Sequence, residues 1–136
     1  MTRIEAISII LFPLFVSSCS DKEDNLGCIN IKKGKFEYRG GLTKKHYSVE
    51  RTDSIQIERD EDTGLGMKFK IEWKGECDYI HTPLSFIING KDSIIERSGP
   101  PLIKARILKV TRNYYICRPS IEGENIVHRD TMLIIK

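Results

Sequence analysis

Cysteine is the residue type whose surroundings in this chain dictate a reaction. Cys19 follows Val16, Ser17 and Ser18, and an apolar stretch from Ala6 to Val16 precedes it, broken only by Ser8 and Pro13. An apolar core, an aliphatic residue, two small residues and then a thiol form the order that a lipoprotein signal requires. The small residues let the backbone enter a signal peptidase groove, and the thiol takes a diacylglycerol thioether. The stretch is far shorter than the about 20 apolar residues that span a bilayer, and it fits the apolar region of a signal peptide. Arg3 is the only cation ahead of it, opposed by Glu5. The expected product loses residues 1–18 and carries fatty chains of the palmitate kind on Cys19, its lipidation site. An ordinary secretory signal cut nearby is the alternative.

Three further cysteines remain: Cys28, Cys77 and Cys117. In an oxidising envelope two of them can pair and leave one thiol over. Spacing alone does not fix connectivity. The pairing expected is Cys28 with Cys77, which ties the start of the domain to a central hairpin and stabilises a small core. Cys117, inside the apolar stretch Tyr114-Tyr115-Ile116-Cys117, reads as a buried thiol.

Other chemistry finds little support. Zinc wants cysteine pairs at short spacing, or cysteine near histidine, and His46, His81 and His128 stand isolated. Asp60-Glu61-Asp62-Thr63-Gly64 superficially resembles a calcium loop, but Ile71 stands where the closing bidentate glutamate belongs. There is no G-x-S-x-G, no P-loop and no H-E-x-x-H. Neither a metal nor a cofactor is expected, and the chain does not read as an enzyme. Net charge is +3, from 22 basic and 19 acidic side chains, too mild to argue for nucleic acid. Lys32, Lys33, Lys35, Arg39, Lys44, Lys45, His46 and Arg51 make the first half of the domain basic. They read first as the wet faces of strands, and second as a patch for an anionic glycan or another envelope protein.

The elements that must position these residues show period two. Met67, Phe69, Ile71 and Trp73 alternate with Lys68, Lys70, Glu72 and Lys74. Ile55 and Ile57 alternate with Gln56 and Glu58; Phe36 and Tyr38 with Lys35, Glu37 and Arg39; Ile103, Ala105 and Ile107 with Lys104 and Arg106. Turn signals separate the runs: Gly40-Gly41, Asp60 to Gly66, Lys74-Gly75-Glu76, Asn89-Gly90, Ser98 to Pro101, Arg112-Asn113 and Glu122 to Asn125. About eight to ten short strands at such spacing predict an all-β domain over 28–136. Sequential turns favour a small antiparallel up-and-down meander. The expected form is a lipocalin-like or streptavidin-like barrel or an open sandwich, with closure preferred because it hides edge strands. The aromatics Phe36, Tyr38, Phe69, Trp73, Tyr79 and Phe86 are expected in the core, and residues 19–27 form a polar tether.

Two resemblances add an address. Lys22-Glu23-Asp24 is similar to the Lys-acid-acid signal that sends lipoproteins of Bacteroidota to the outer face of the outer membrane. Cys28 with Gly34-Lys35-Phe36, Arg51-Thr52 with Gln56-Ile57-Glu58, and Ile71-Glu72-Trp73 with Cys77-Asp78-Tyr79 resemble a family of small Bacteroidota envelope lipoproteins. The likeness runs from about Cys28 to Tyr79. Some members carry a DNA topoisomerase IV label, which a chain this small behind an export signal contradicts. Gly34-Lys35-Phe36 also resembles the Gly-x-Trp of lipocalins, with Phe in place of Trp. The resemblances imply an outer-membrane address, exposed to the outside, and no activity. The expected function is a non-catalytic, lipid-anchored interaction module. The alternative is a barrel that binds a small molecule.

Overall fold

The computed structural model describes residues 25–40, 44–95, 101–125 and 127–136. The expected signal peptide, Cys19, Lys22-Glu23-Asp24 and the turn residues Ser98 to Pro100 lie outside them.

Nine strands follow a single 3-10 turn at Cys28–Ile31. They are β1 (Gly34–Gly40), β2 (Lys45–Arg51), β3 (Ile55–Asp60), β4 (Gly66–Trp73), β5 (Asp78–Ile88), β6 (Lys91–Ile94), β7 (Ile103–Val110), β8 (Tyr114–Ile121) and β9 (Asp130–Ile135). All pairings are antiparallel, and neighbours in the barrel follow chain order except that β7 pairs with β5 past β6. β1 pairs with β9 as well as β2, so eight strands close into an up-and-down barrel and leave β6 as an added strand. Closure rules out the open sandwich. β5 pairs with β4 along one edge and is long enough to serve two partners on the other: Asp78–His81 pair with β7, and Ser85–Ile88 pair with β6. The turn between β5 and β6 places Asn89 at φ 50° and Gly90 at φ 73°. Asn-Gly tolerates that left-handed pair, whose twist matches a tight hairpin.

Alternation explains most of the interior. Phe36, Val49, Phe69, Ile71, Tyr79, Ala105, Ile107, Tyr115 and Met132 are buried at every second position of their strands. β3 reverses the expected faces. Gln56, not Ile55 or Ile57, is the fully buried residue there, and Glu58 lies on its side of the strand. The apolar pair is only partly covered from outside. Phe86 also departs from expectation: it is 39% exposed, on the stretch of β5 beyond a bulge. There Leu84 is the extra residue, since Lys68 faces Ser85 while Phe69 faces Pro83.

One end of the barrel is stoppered by the chain before β1. Ile31 is fully buried, and the Leu26 amide donates to the Val110 carbonyl at 2.8 Å. Contacts with the barrel therefore begin ahead of Cys28. Cys28 and Cys77 form a disulfide that fastens the 3-10 turn to the β4–β5 connection. Cys117 is a free, buried thiol. The outward positions of β4 and β7 carry the charged side chains Lys70, Glu72, Lys104 and Arg106.

Candidate functional site

Arg51 is the residue around which the barrel interior is organised. It is the third inward position of β2, after Tyr47 and Val49, and is 3% exposed. Its Nε donates to Gln56 Oε1 at 2.6 Å, Nη1 to the Ile31 carbonyl at 2.9 Å, and Nη2 to the Tyr115 hydroxyl at 2.9 Å. A longer contact of 3.5 Å reaches the Tyr79 hydroxyl. The guanidinium carbon lies 5.0 Å from the ring centres of both Phe36 and Tyr79, a cation–π enclosure. All these partners are neutral. Arginine does not give up its proton in proteins, so the charge needs a counter-charge elsewhere.

Gln56 relays it. Its Nε2 donates to Glu58 Oε1 at 2.6 Å, and the Tyr38 hydroxyl donates to Glu58 Oε2 at 3.0 Å. A polar wire thus runs along the interior from the stoppered end to the opposite mouth: Ile31, Arg51, Gln56, Glu58, Tyr38. Both Gln56 amide atoms are engaged, which fixes the amide orientation. Burial pushes the Glu58 carboxyl up, while the bonds from Gln56 and Tyr38 pull it back down. Burial and the neighbouring Glu58 also raise Tyr38, which keeps its hydroxyl a donor.

The wire ends in a hollow. A cavity of ≈180 Å³ at the mouth is bordered by Tyr38, Glu58, His81, Cys117, His128 and Asp130, with Ile103, Ile121 and Met132 as apolar wall. Each polar member comes from an inward position or the loop above it. Asp130 opens β9 opposite Cys117, and His81 sits opposite Ile71 of β4. The His81 ring is held between Phe69 at 5.0 Å and Tyr79 at 4.8 Å, and the residue is 4% exposed. Its Nε2 is buried and has no hydrogen-bond partner. Among the described residues two other buried side-chain atoms share that state, Trp73 Nε1 and Ser85 Oγ, but neither residue lines this cavity. Burial, with Arg51 adding to it, lowers His81 to about 3, so the imidazole is neutral. Asp130 is pushed up by burial, and only His128, with Nε2 3.8 Å away, opposes this. Burial lifts the Cys117 thiol to about 12.

The larger hollow, ≈470 Å³, is a groove outside the wall over β5, β7 and β8. Its sides are the long side chains of Lys74, Lys104, Arg106 and Arg118, and Arg106 is already bound to Asp78 at 2.7 Å. It contains no buried unpartnered atom. The mouth therefore makes the stronger candidate, despite its smaller volume.

Of the residues singled out in the sequence, Cys28 and Cys77 come together. The basic block does not. Arg51 goes inside, Lys33 pairs with Asp53 at 2.8 Å, Lys45 with Asp60 at 3.1 Å, and His46 with Glu37 at 3.1 Å. The Asp60 to Gly64 loop is an ordinary capped turn, with the Asp62 amide donating to Asp60 Oδ1 at 2.9 Å. His81, Glu58 and Asp130 carried no functional reading in the sequence. The signal available was their inward register beside Tyr38, Ile71 and Cys117. No group of three His, Cys, Asp or Glu side chains among the described residues is arranged to hold a metal ion. No family model, curated protein or solved structure matches the chain.

Proposed function

We propose that this chain is a lipid-anchored protein of the cell envelope that works without catalysis, as a binding module whose barrel mouth takes up a small polar molecule. One observation carries the binding part: the wall of the mouth cavity includes His81, whose buried Nε2 has no hydrogen-bond partner. Leaving such an atom unpaired costs about 1–3 kcal/mol. A guest that meets it recovers that cost, which gives the cavity a preference for polar guests. The volume sets the scale. It lies below the about 300–1,000 Å³ of drug-sized pockets and holds the equivalent of about six water molecules.

Two titratable groups of the mouth, His81 and Cys117, fit a non-catalytic role. A general acid or base works best with its pKa near the working pH. His81 at about 3 and Cys117 at about 12 both lie far from that range. The anchor rests on Cys19 and the residues before it, and the outer-membrane address on Lys22-Glu23-Asp24 and the resemblance to Bacteroidota envelope lipoproteins. The charged outer face of β4 and β7 fits a barrel hung from the membrane by lipid rather than set within it.

A second reading concerns the outer groove. Lys104 and Arg118, with Lys74 beside them, offer positive charge to an anionic envelope glycan. Charge reversal at Lys104 and Arg118 would then abolish retention on an acidic-polysaccharide column, and unchanged retention would remove this reading.

The test of the mouth is an NMR screen of the full chain against uncharged, cationic and anionic fragments of about six non-hydrogen atoms. Shifts should concentrate at Tyr38, His81, Cys117 and Asp130 and spare Val110 and Ile31 at the stoppered end. Shifts confined to the outer wall, or none, would refute mouth binding.

A further inference from the structure

The charges along the polar wire do not cancel at the mouth. Glu58 is the carboxylate joined to Arg51 through Gln56, so that pair balances itself. Asp60, the next inward acid of β3, is answered by Lys45 at 3.1 Å. Asp130 is left over. Its side chain is 22% exposed, and its one ion-pair partner among the described residues is His128 at 3.8 Å, a histidine that is charged only when protonated. Across the same cavity lies His81, buried, neutral and unpartnered at Nε2. In the tautomer that carries its proton on Nδ1, a neutral imidazole offers the Nε2 lone pair to an N–H donor. The remaining wall at Ile103, Ile121 and Met132 is apolar.

From this juxtaposition we propose that the mouth selects a small organic cation bearing a primary ammonium group, with Asp130 as its counter-charge, His81 Nε2 as an acceptor for one N–H, and the apolar wall around its alkyl part. The proposal rests on the reading that the mouth binds small molecules, and it names the class. An anion would meet the unbalanced carboxylate of Asp130. A neutral guest would leave Asp130 half-covered and without a counter-charge, which its burial disfavours. A quaternary ammonium would satisfy Asp130 but bring no N–H to His81. A divalent metal lacks a converging set of three ligands among the described residues.

Four probes of nearly one size separate these cases: n-butylammonium, n-butanol, n-butyrate and tetramethylammonium. Each is titrated into the full wild-type chain and followed by amide and histidine NMR shifts at neutral pH. The expected result is saturable shifts at His81, Ile121 and Asp130 with n-butylammonium, about tenfold or more tighter than with any other probe. Asp130→Asn should remove that advantage while leaving the spectrum of the stoppered end unchanged. The wild-type comparison decides the matter even if the variant fails to fold. Equal affinity of n-butanol or n-butyrate at the mouth overturns the ammonium selection and leaves mouth binding standing. Equal affinity of tetramethylammonium overturns the role given to His81. Absence of mouth shifts with all four overturns both the selection and the binding reading beneath it.

Discussion

Replacing Tyr115 with phenylalanine removes one oxygen from the buried arginine and nothing else. The Tyr115 hydroxyl accepts from Arg51 Nη2 at 2.9 Å, inside the packed half of the barrel where water does not substitute. A hydrogen bond to a charged group contributes about 1.5–3 kcal/mol, so Y115F should lose about 2 kcal/mol. Tyr79 makes the longer contact of 3.5 Å, and Y79F should lose less than about 1 kcal/mol. Arg51→Met goes further. It strips the Ile31 carbonyl, Gln56 Oε1 and the Tyr115 hydroxyl of their donor, and it leaves Glu58 without its relayed counter-charge. Breaking a buried ion pair from one side costs about 3–5 kcal/mol. Urea unfolding of the oxidised protein, extrapolated linearly to water, measures all three. The predicted order of loss is R51M, then Y115F, then Y79F. The double variant Y115F/Y79F should depart from additivity, because both hydroxyls meet the same Nη2. If Y115F unfolds within about 0.5 kcal/mol of the parent, or R51M is the more stable protein, the claim that a held charge organises this interior is wrong.

The remaining predictions concern sulfur and histidine. Reducing the Cys28–Cys77 bridge, whose ends are 49 residues apart, should lower the unfolding free energy by about 4 kcal/mol; urea midpoints with and without dithiothreitol measure the loss. The Cys117 thiol, buried and raised to about 12, should resist maleimide at pH 8 in the native protein and react after unfolding. His81 binds fewer protons folded, at about 3, than unfolded, at 6.5. Its contribution to stability is therefore complete above the unfolded value and lost as pH falls through the window between them, by roughly 5 kcal/mol in all. Glu58 and Asp130 are raised by burial and act with the opposite sign over the acid range, so the readout is the difference between wild type and His81→Leu. That difference should shrink or reverse toward pH 3, and a pH-independent difference would contradict a buried neutral imidazole.

The barrel was legible because its strands announce themselves twice, by alternation and by the turns between them. Phe69, Ile71 and Trp73 against Lys68, Lys70 and Glu72 allow only one inward face. Asn89-Gly90 marks a hairpin by the backbone it tolerates. The interior polar wire was hidden by the same rule. On β3, isoleucine alternates with glutamine and glutamate, and hydrophobicity alone turns Ile55 and Ile57 inward. Gln56 and Glu58 go inside because Arg51, two residues before the turn into β3, has already placed a charge there that needs answering. Register could have exposed this, since Tyr47, Val49 and Arg51 share one face. Charge patterning along the sequence instead groups Arg51 with surface lysines. The mouth was less legible still. Glu58, His81 and Asp130 lie on three strands far apart in sequence, and only closure of β1 against β9 completes the ring that gathers them. The bulge that adds Leu84 to β5 left no mark in the pattern, and Phe86 lost its core position with it.

Under the proposed function the mouth works from a lipid tether, and that tether depends on one thiol. The intact mass of the protein extracted from its own membranes tests this most directly. The expected species is a polypeptide that begins at Cys19, carries diacylglycerol and a further acyl chain on that residue, and retains the Cys28–Cys77 bridge with Cys117 free. A chain that still begins at Met1, recovered from the aqueous fraction with Cys19 unmodified, would contradict it.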